Sequence, residues 1–521
     1  MQTVSSTFHQ KSQAGIRKHK WSILLSFDRD FDDTRTFFTL DSSMLDDVDV
    51  LAPVDDNPIQ YWDFYEYTAY TDRLMSVEWE REIGFPYSIQ SSSANVVFNN
   101  IDNFFSSNTN SPINQYLKPS RPIKILNGFD GETLLQQFVG LTQDKPELDQ
   151  TTRTAKFVAF DYLTELFKLK LSESLALTNV RTDEALAALF EQFGLQSYQY
   201  SLARGRNVIP FLFLEEGKSA ADAFRDVMQA EGGQLWIDEQ GIIRFDQRLI
   251  TSTGPVFTFN ESSISSISTT GDTEIINRVK ITSNIREAQE AQPIHSGSGQ
   301  LTNPTLTEPL LIPALGYLNY EIKLDSPLVG YSEPSQGVVV GDSWFTVATL
   351  SGGEITSGVE VSDSELTQNT LIITLHNTNS YNAYLNAIQV YGEPAKIIDT
   401  IIYEAFDQDS INTYGEHLLE INNDMFGSEA NCESFAYTMI DAYSEFDSII
   451  EIAVKNNPSL QLGDIIWVDT TKIEGQFQII KIADSISNSG VKQIIKAKRY
   501  NPREWFILDI SSLDETDVLA P

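Results

Sequence analysis

LMSVEWEREI at 74–83, ANVVFNNIDNFF at 94–105, PIKIL at 122–126, LLQQFVGL at 134–141 and TAKFVAF at 154–160 are five short apolar runs with turn signals between them. Runs of that length, separated by residues that favour turns, predict a small antiparallel sheet or barrel over 71–165.

Downstream the period changes. In 182–194, Leu186, Leu189, Phe190 and Phe193 recur at helical spacing, with Thr182 or Asp183 as the cap and Gly194 at the stop. In 219–233, Ser219 and Asp222 stand at capping-box spacing, Phe224, Val227 and Met228 form the apolar stripe, and Gly232 and Gly233 end it. A hairpin is expected over 234–246, turning near Glu239-Gln240-Gly241. Residues 166–265 therefore read as a mixed helix and strand domain, an α/β segment.

Between His295 and Pro394 the composition turns to Ser, Thr, Asn and Gly, and the only basic residue is Lys323. The apolar runs there predict a β-sandwich inserted over 291–395. Its flanks, 275–282 and 397–403, would then belong together in a discontinuous domain, 266–290 with 396–500, that continues through a helix near 429–443 and four strands. Upstream, residues 1–20 read as a flexible basic arm. Residues 28–66 carry twelve acidic residues against Arg29 and Arg35, with Pro53 and Pro58, and read as an extended excursion within 1–70.

The chain has 521 residues, 41% hydrophobic, 11% aromatic and 21% charged, which is the profile of a folded chain of three to four domains at about 150 residues each. Its formal net charge of −37 argues against an external nucleic-acid-binding surface, because phosphate contacts need clustered cations. A passage through which DNA slides without sticking is compatible with it. The single cysteine, Cys432, excludes an intramolecular disulfide and a cysteine zinc site in one chain. The apolar stretch 21–27 follows Lys11, Arg17, Lys18 and Lys20 as in a signal peptide, but Asp28 and Asp30 follow at once and no small-residue cleavage site appears. No run approaches the roughly 18 apolar residues of a membrane helix, so synthesis in the cytoplasm and no stable membrane insertion are expected.

One repeat stands out. FFTLDSSMLDDVDVLAP at 37–53 aligns without a gap with WFILDISSLDETDVLAP at 505–521. The shared apolar residues are Phe38, Leu40, Leu45, Val50 and Leu51 in one copy and Phe506, Leu508, Leu513, Val518 and Leu519 in the other. A segment this short cannot bury those side chains by itself, so they are expected to dock elsewhere, with 501–521 as a C-terminal docking tail.

Catalytic and ligand motifs fare poorly. Gly217-Lys218-Ser219 opens a helix, but Leu212 stands where a phosphate-binding loop needs glycine; a turn capped by Ser219 accounts for it. Asp28, Asp30 and Asp32 open like a calcium loop, yet Asp33 and Thr39 hold the positions of its glycine and its bidentate glutamate. Cys432 lies in an expected helix with no nucleophile context, and the five histidines lack ligand spacing. No catalytic residue, cofactor or metal is expected, and the chain has the profile of an assembly protein.

The motifs around the apolar runs resemble phage tail hub proteins. The first group is a strand with Arg81, then ANVVFNNIDNFFS at 94–106, LKPSRPIKI at 117–125, FVGLTQ at 138–143 and TAKFVAFDYLTEL at 154–166. The second group, IINRVKI at 275–281, SINTYGEHLLEI at 410–421, NPSLQLGDIIWV at 457–468 and GQFQIIKI at 475–482, is also similar to the late control D family of hubs. The resemblance implies two small hub-type β-barrels, which with the α/β segment and the inserted sandwich make a mainly β fold with some α+β; the insert from His295 to Pro394 and the N-terminal acidic excursion depart from the family's minimal pattern. It further implies a homotrimer at the distal tail tip or baseplate of the virion, a ring of six barrels that adapts a sixfold tube to a threefold tip. The implied partners are a tail tube or distal tail protein, the tape measure protein, and tail-tip or fibre proteins, with DNA passing through the lumen without specific binding. The alternative is a tail-tip adhesin whose sandwich binds host-surface carbohydrate, with Trp344 and Tyr381 able to stack on sugars.

Overall fold

A computed structural model describes residues 1–14, 17–27, 67–84, 89–107, 110–247, 254–269, 275–296, 305–339, 341–367, 370–444, 449–487 and 490–500. The protein is mainly β, 50% strand and 15% helix. Both copies of the 17-residue repeat, and the Asp28, Asp30 and Asp32 cluster, lie outside the described residues.

The five apolar runs form strands, and His19–Leu25 adds a sixth. Numbered along the chain, unit 1 consists of His19–Leu25, Leu74–Glu82, Ser93–Asn99, Pro122–Phe129, Leu135–Thr142 and Thr154–Phe160, which hydrogen-bond in the order 2-3-6-5-4-1. Alternation turns Val77, Trp79, Val96, Phe98, Phe157 and Ala159 to one side, where they are buried with Ile23, Ile125 and Phe138 in a single core. Aromatic rings dominate it: Phe98 stacks on Phe105 at 4.9 Å, and Phe27 and Tyr70 close its end at 5.6 Å.

A second unit has the same plan. Phe257–Asn260, Ile264–Thr269, Ile449–Val454, Ile465–Asp469, Glu474–Ser487 and Gly490–Arg499, numbered the same way, also hydrogen-bond in the order 2-3-6-5-4-1. Even a detail repeats. Strand 2 of each unit is bulged against strand 3 at one place, between Leu74 and Ser76 in unit 1 and between Ile264 and Ser266 in unit 2. The units differ at strand 1, which joins strand 4 antiparallel in unit 1 and parallel in unit 2. The core of unit 2 is largely aliphatic, with Ile450, Ile452, Ile466, Ile479, Ile482 and Ile495 around Phe257, Phe259 and Phe477.

Each unit wraps one core, yet among the described residues no hydrogen-bond ring closes into the expected barrel. In unit 1 the edge of strand 2 that closure needs is taken by strand 5 of unit 2, Glu474–Ser487. Residues 474–478 pair with its own strand 4, while 481–487 run on and pair antiparallel with Leu74–Glu82 of unit 1. With the short strands Thr68–Ala69 beside strand 1 and Glu147–Asp149 beside strand 6 of unit 1, the two units are thereby fused into one fourteen-stranded sheet.

The α/β segment lies between the units in sequence. Helices Thr182–Gln192 and Ala220–Glu231 pack Leu186, Leu189, Phe190, Phe224, Val227 and Met228 over a two-stranded and a three-stranded sheet. Ser219 caps the second helix, accepting from Asp222 N at 3.1 Å, and Gly232 ends it in the left-handed region. The first helix is capped differently from the expectation. Arg181 is its N-cap, its N–H donating to the Glu184 side chain, while Thr182 is already helical and its hydroxyl donates to buried Glu231 at 2.9 Å.

The remaining β structure sits in the connection between strands 2 and 3 of unit 2, residues 270–448; unit 1 makes the same connection with 83–92. A three-stranded sheet, Tyr317–Lys323, Thr370–Asn377 and Val359–Leu366, packs on a nine-stranded sheet around Ile322, Phe345, Ile373, Leu385 and Ile388. The flanking segments pair with each other, Ile281 opposite Tyr403, but their ladder belongs to the nine-stranded sheet and to no strand of unit 2. The expected domain of 266–290 with 396–500 thus takes in strands that lie in another sheet. Its boundary also falls inside one continuous strand, Ala383–Phe406, which no Gly or Pro interrupts in a way that ends the ladder.

Candidate assembly surface

On the face opposite the two cores, the fused sheet presents mostly small and charged side chains. Cross-strand registers set Glu451, Lys496, Lys481 and Glu82 in one row and Ala453, Ile494, Ala483 and Glu80 in the next. A third row runs Ser485, Glu78, Asn95 and Val158. Lys481 Nζ stands 3.0 Å from both Glu80 and Glu82 carboxylates, bridging the units on this side. Across these rows the four carboxylates of Glu78, Glu80, Glu82 and Glu451 outnumber the two ammonium groups of Lys481 and Lys496, so the face is mildly acidic.

The opposite side of the same seam is dry and polar. Arg81, flanked by strand 5 of unit 2, is buried and ion-paired with Glu239 from the turn of the 234–246 hairpin. Gln461 of unit 2 donates to Glu239 Oε2 at 3.0 Å, and Gln136 of unit 1 donates to the Glu239 carbonyl at 2.8 Å. One side chain of the α/β segment thus meets both units. Burial pulls the Arg81 guanidinium down to about 10, while Asp484, Asp238 and Asp464 oppose the change. Burial likewise pushes the Asp484 carboxyl up to about 7 against the opposing charge of Arg81. Asp484 accepts from Asn456 at 2.6 Å, and Asn456 accepts from Asn127 of unit 1 at 3.1 Å.

The N-terminal arm, expected to be flexible, is docked across the same junction. Helix Ser6–Gln13 lays Phe8 against Phe129 of unit 1 at 4.8 Å and His9 against Phe257 of unit 2 at 6.1 Å. Arg17 donates to the Lys455 carbonyl at 3.0 Å. The burial of Phe8 and the pairing of Lys11 with Glu132 at 2.8 Å explain the order: the arm's basic residues find carboxylates and carbonyls in an acidic molecule.

Two further surfaces are bare. The C-terminal half of Ala383–Phe406 pairs on one side with Arg278–Ala288, and among the described residues no strand pairs its other edge. Helix Glu429–Tyr443 covers one face of this ladder with Phe435, Met439 and Tyr443, leaving Ile402, Phe406 and Leu418 exposed on the other. On the sandwich, Tyr317 stacks on His376 with centroids 4.4 Å apart and remains 60% exposed; Tyr381 is exposed as well, whereas Trp344 is half-buried in a strand.

None of the ten docking residues named from the repeat can be placed, because both copies fall outside the described residues. Their attachment points can. The copy at 37–53 lies in the connection from strand 1 toward strand 2 of unit 1, and the copy at 505–521 follows strand 6 of unit 2. Cys432 is buried beside Phe435 and Ala436, and Gly217-Lys218-Ser219 is a capped turn whose Lys218 pairs with Asp226 at 2.5 Å. Among the described residues no helix is long and apolar enough to cross a membrane.

No family model and no curated protein matches the chain. Solved structures similar to it include the tail protein from Neisseria meningitidis MC58, at 10% identity and a TM-score of 0.46, covering 83% of this chain and 94% of that one. The 43 kDa tail protein of prophage MuSo2 from Shewanella oneidensis is similar at 11% identity and a TM-score of 0.44, covering 83% and 96%. Prophage tail protein gp18 from Listeria monocytogenes EGD-e is similar at 8% identity and a TM-score of 0.39, covering 84% and 92%.

Proposed function

We propose that the protein is a structural hub at the distal end of a phage tail, a homotrimer in the virion that adapts a sixfold tail tube to a threefold tip. The observation that carries this reading is the pair of six-stranded units of identical strand order within one chain. Three chains supply six such units, so the ring meets sixfold neighbours on one side and threefold ones on the other. Of the motifs that resemble tail hubs, 94–106, 117–125, 138–143 and 154–166 fall on unit 1 and 457–468 with 475–482 on unit 2, whereas 275–281 and 410–421 fall in the 270–448 connection. A face whose carboxylates outnumber its ammonium groups, with small side chains between them, suits a lumen through which DNA and a tape measure protein pass without specific binding. The role is mechanical and needs no catalysis; a zymogram against cell wall should stay blank.

Purified chain examined by light scattering and electron microscopy should form three-copy rings whose projections approach sixfold symmetry. A single chain at all concentrations would overturn the reading. In this role Phe38, Leu40, Leu45, Val50 and Leu51, with Phe506, Leu508, Leu513, Val518 and Leu519, dock the repeat segments onto a neighbouring ring or fibre protein by strand addition. Removal of 505–521 should leave the hub folded and deplete a neighbour from virions; normal occupancy of every neighbour would exclude docking. The exposed Tyr317–His376 stack favours a second activity, binding of host-surface carbohydrate by the sandwich. Full-length chain on a glycan array tests it, with Tyr317→Ala as the control expected to lose any signal.

A further inference from the structure

The seam inside the chain can be transposed onto its outer edges. Strand 2 of unit 1 pairs with strand 5 of unit 2, with Glu78 opposite Ser485 and Trp79 opposite Asp484. Strand 2 of unit 2, Ile264–Thr269, pairs on one side with Ile449–Val454, and among the described residues no strand pairs its other edge. In unit 1 the course of strand 5 continues into Glu147–Asp149, which pairs with strand 6 alone and is exposed throughout. Each chain therefore ends one way in a donor strand without an acceptor and the other way in an acceptor edge without a donor. Unpaired edges of this kind are templates for another strand.

The shared bulge fixes the equivalences. Ser76 and Ser266 both follow it, so Glu78 corresponds to Ser268 and Trp79 to Thr269. On the acceptor side the ladders run Phe98, Ala155, Leu148 in unit 1 and Val454, Gln493, Asp484 in unit 2, so Leu148 corresponds to Asp484 and Asp149 to Ser485. Leu148 is 41% exposed, while its counterpart Asp484, covered by the seam, is 2% exposed. An apolar side chain thus lies bare at the position that a second strand 2 would cover.

We propose that Ile264–Thr269 of one copy pairs antiparallel with the Glu147–Asp149 edge of the next copy, with Ser268 opposite Asp149 and Thr269 opposite Leu148. The contact repeats between chains the seam that Leu74–Glu82 makes within them. It is head-to-tail, so it closes only as a ring, and in a three-copy ring six like units meet at six like seams. This assignment rests on the trimeric reading above and names the surface through which the copies associate.

The test is a full-length Ser268→Cys/Asp149→Cys variant under mild oxidation, since the one native cysteine, Cys432, is buried. Denaturing gels should show covalent dimers and trimers from the double variant. A mixture of the two single variants should stop at dimers, and either single variant alone should give monomer. A Ser266→Cys/Thr151→Cys pair, one step along the same edge, guards against a folding defect at the 149–153 turn. If light scattering finds three copies and neither pair cross-links, the proposed contact is wrong while the trimer stands, and the edges serve another occupant. If the wild-type chain is a monomer, the trimeric reading falls and takes the contact with it.

Discussion

The two units obey one strand order with different materials. Unit 1 fills its core with rings, Trp79, Phe98, Phe105, Phe138 and Phe157, and joins strands 2 and 3 by a short connection; unit 2 fills its core with isoleucines and carries residues 270–448 at the same place. The connection tolerates that load because the added length costs loop-closure entropy only logarithmically. The difference teaches that pairing order and inward alternation specify the unit, while the identity of the apolar side chains and the length of this connection are free.

The largest effect is expected where the units are tied. Arg81→Ala strands Glu239 as a buried charge and should cost about 3–5 kcal/mol in denaturant unfolding. A double replacement, Arg81→Met with Glu239→Gln, removes both charges and should recover most of that loss. If Arg81→Ala costs under about 1 kcal/mol, the buried pair is not what fixes the seam.

Next come the cores themselves. Phe98→Ala should cost about 3–5 kcal/mol and Ile452→Ala about 2–5 kcal/mol, both being fully buried. Because the fused sheet and the Glu239 contacts couple the units, both variants should shift one shared unfolding transition seen by fluorescence and by circular dichroism. Two separate transitions, one per variant, would break the view that the seam makes the units a single cooperative body.

Among the described residues each unit also holds one buried aspartate, and burial is the main cause that pushes both up to about 7: Asp161 in unit 1, which accepts from Ser92 N and Leu163 N, and Asp484 in unit 2. A carboxyl whose pKa is higher folded than unfolded binds extra protons in the folded state. Its stabilising contribution is complete below about pH 4 and is lost as pH rises to about 7. Asp161→Asn and Asp484→Asn should each remove part of that decline, so their stability relative to wild type should improve from pH 4 to pH 7 and then level. A flat difference for one of them would show that the two sites, alike in burial, are not alike in charge.

How much of this was legible follows from what alternation encodes. The apolar runs at 74–83, 94–105, 122–126, 134–141 and 154–160 each became or contained a strand, because a two-residue period with a buried face survives any partner. The helix stop at Gly232 and the cap at Ser219 were equally local. Pairing order was not legible: Leu74 to Glu82 carries nothing that names residues 481–487, about four hundred positions away, as its neighbour. Glu239 read as a turn residue because its partner Arg81 lies in another module. Residues 1–20 read as a free arm because Phe8 is a lone aromatic among polar residues, and only the contacts of Phe8 with Phe129 and of His9 with Phe257 give the arm a place. The domain boundary expected at 395–396 falls inside the continuous strand Ala383–Phe406, where the ladder changes partners while the chain stays extended.

The smallest effect is expected on the outer face of the same seam. Lys481 bridges Glu80 and Glu82 there, directly across the sheet from the side where Arg81 is buried, but these three side chains remain partly open to solvent. Water screens such pairs and holding the long side chains in place costs entropy, so Lys481→Met should change stability by less than about 1 kcal/mol. Raising the salt concentration should shrink even that difference, and should leave the loss caused by Arg81→Ala nearly unchanged, since the interior pair is not screened. If Lys481→Met matched Arg81→Ala in size, the seam would owe its strength to the open face, and the contrast between its dry and wet sides would have to be abandoned.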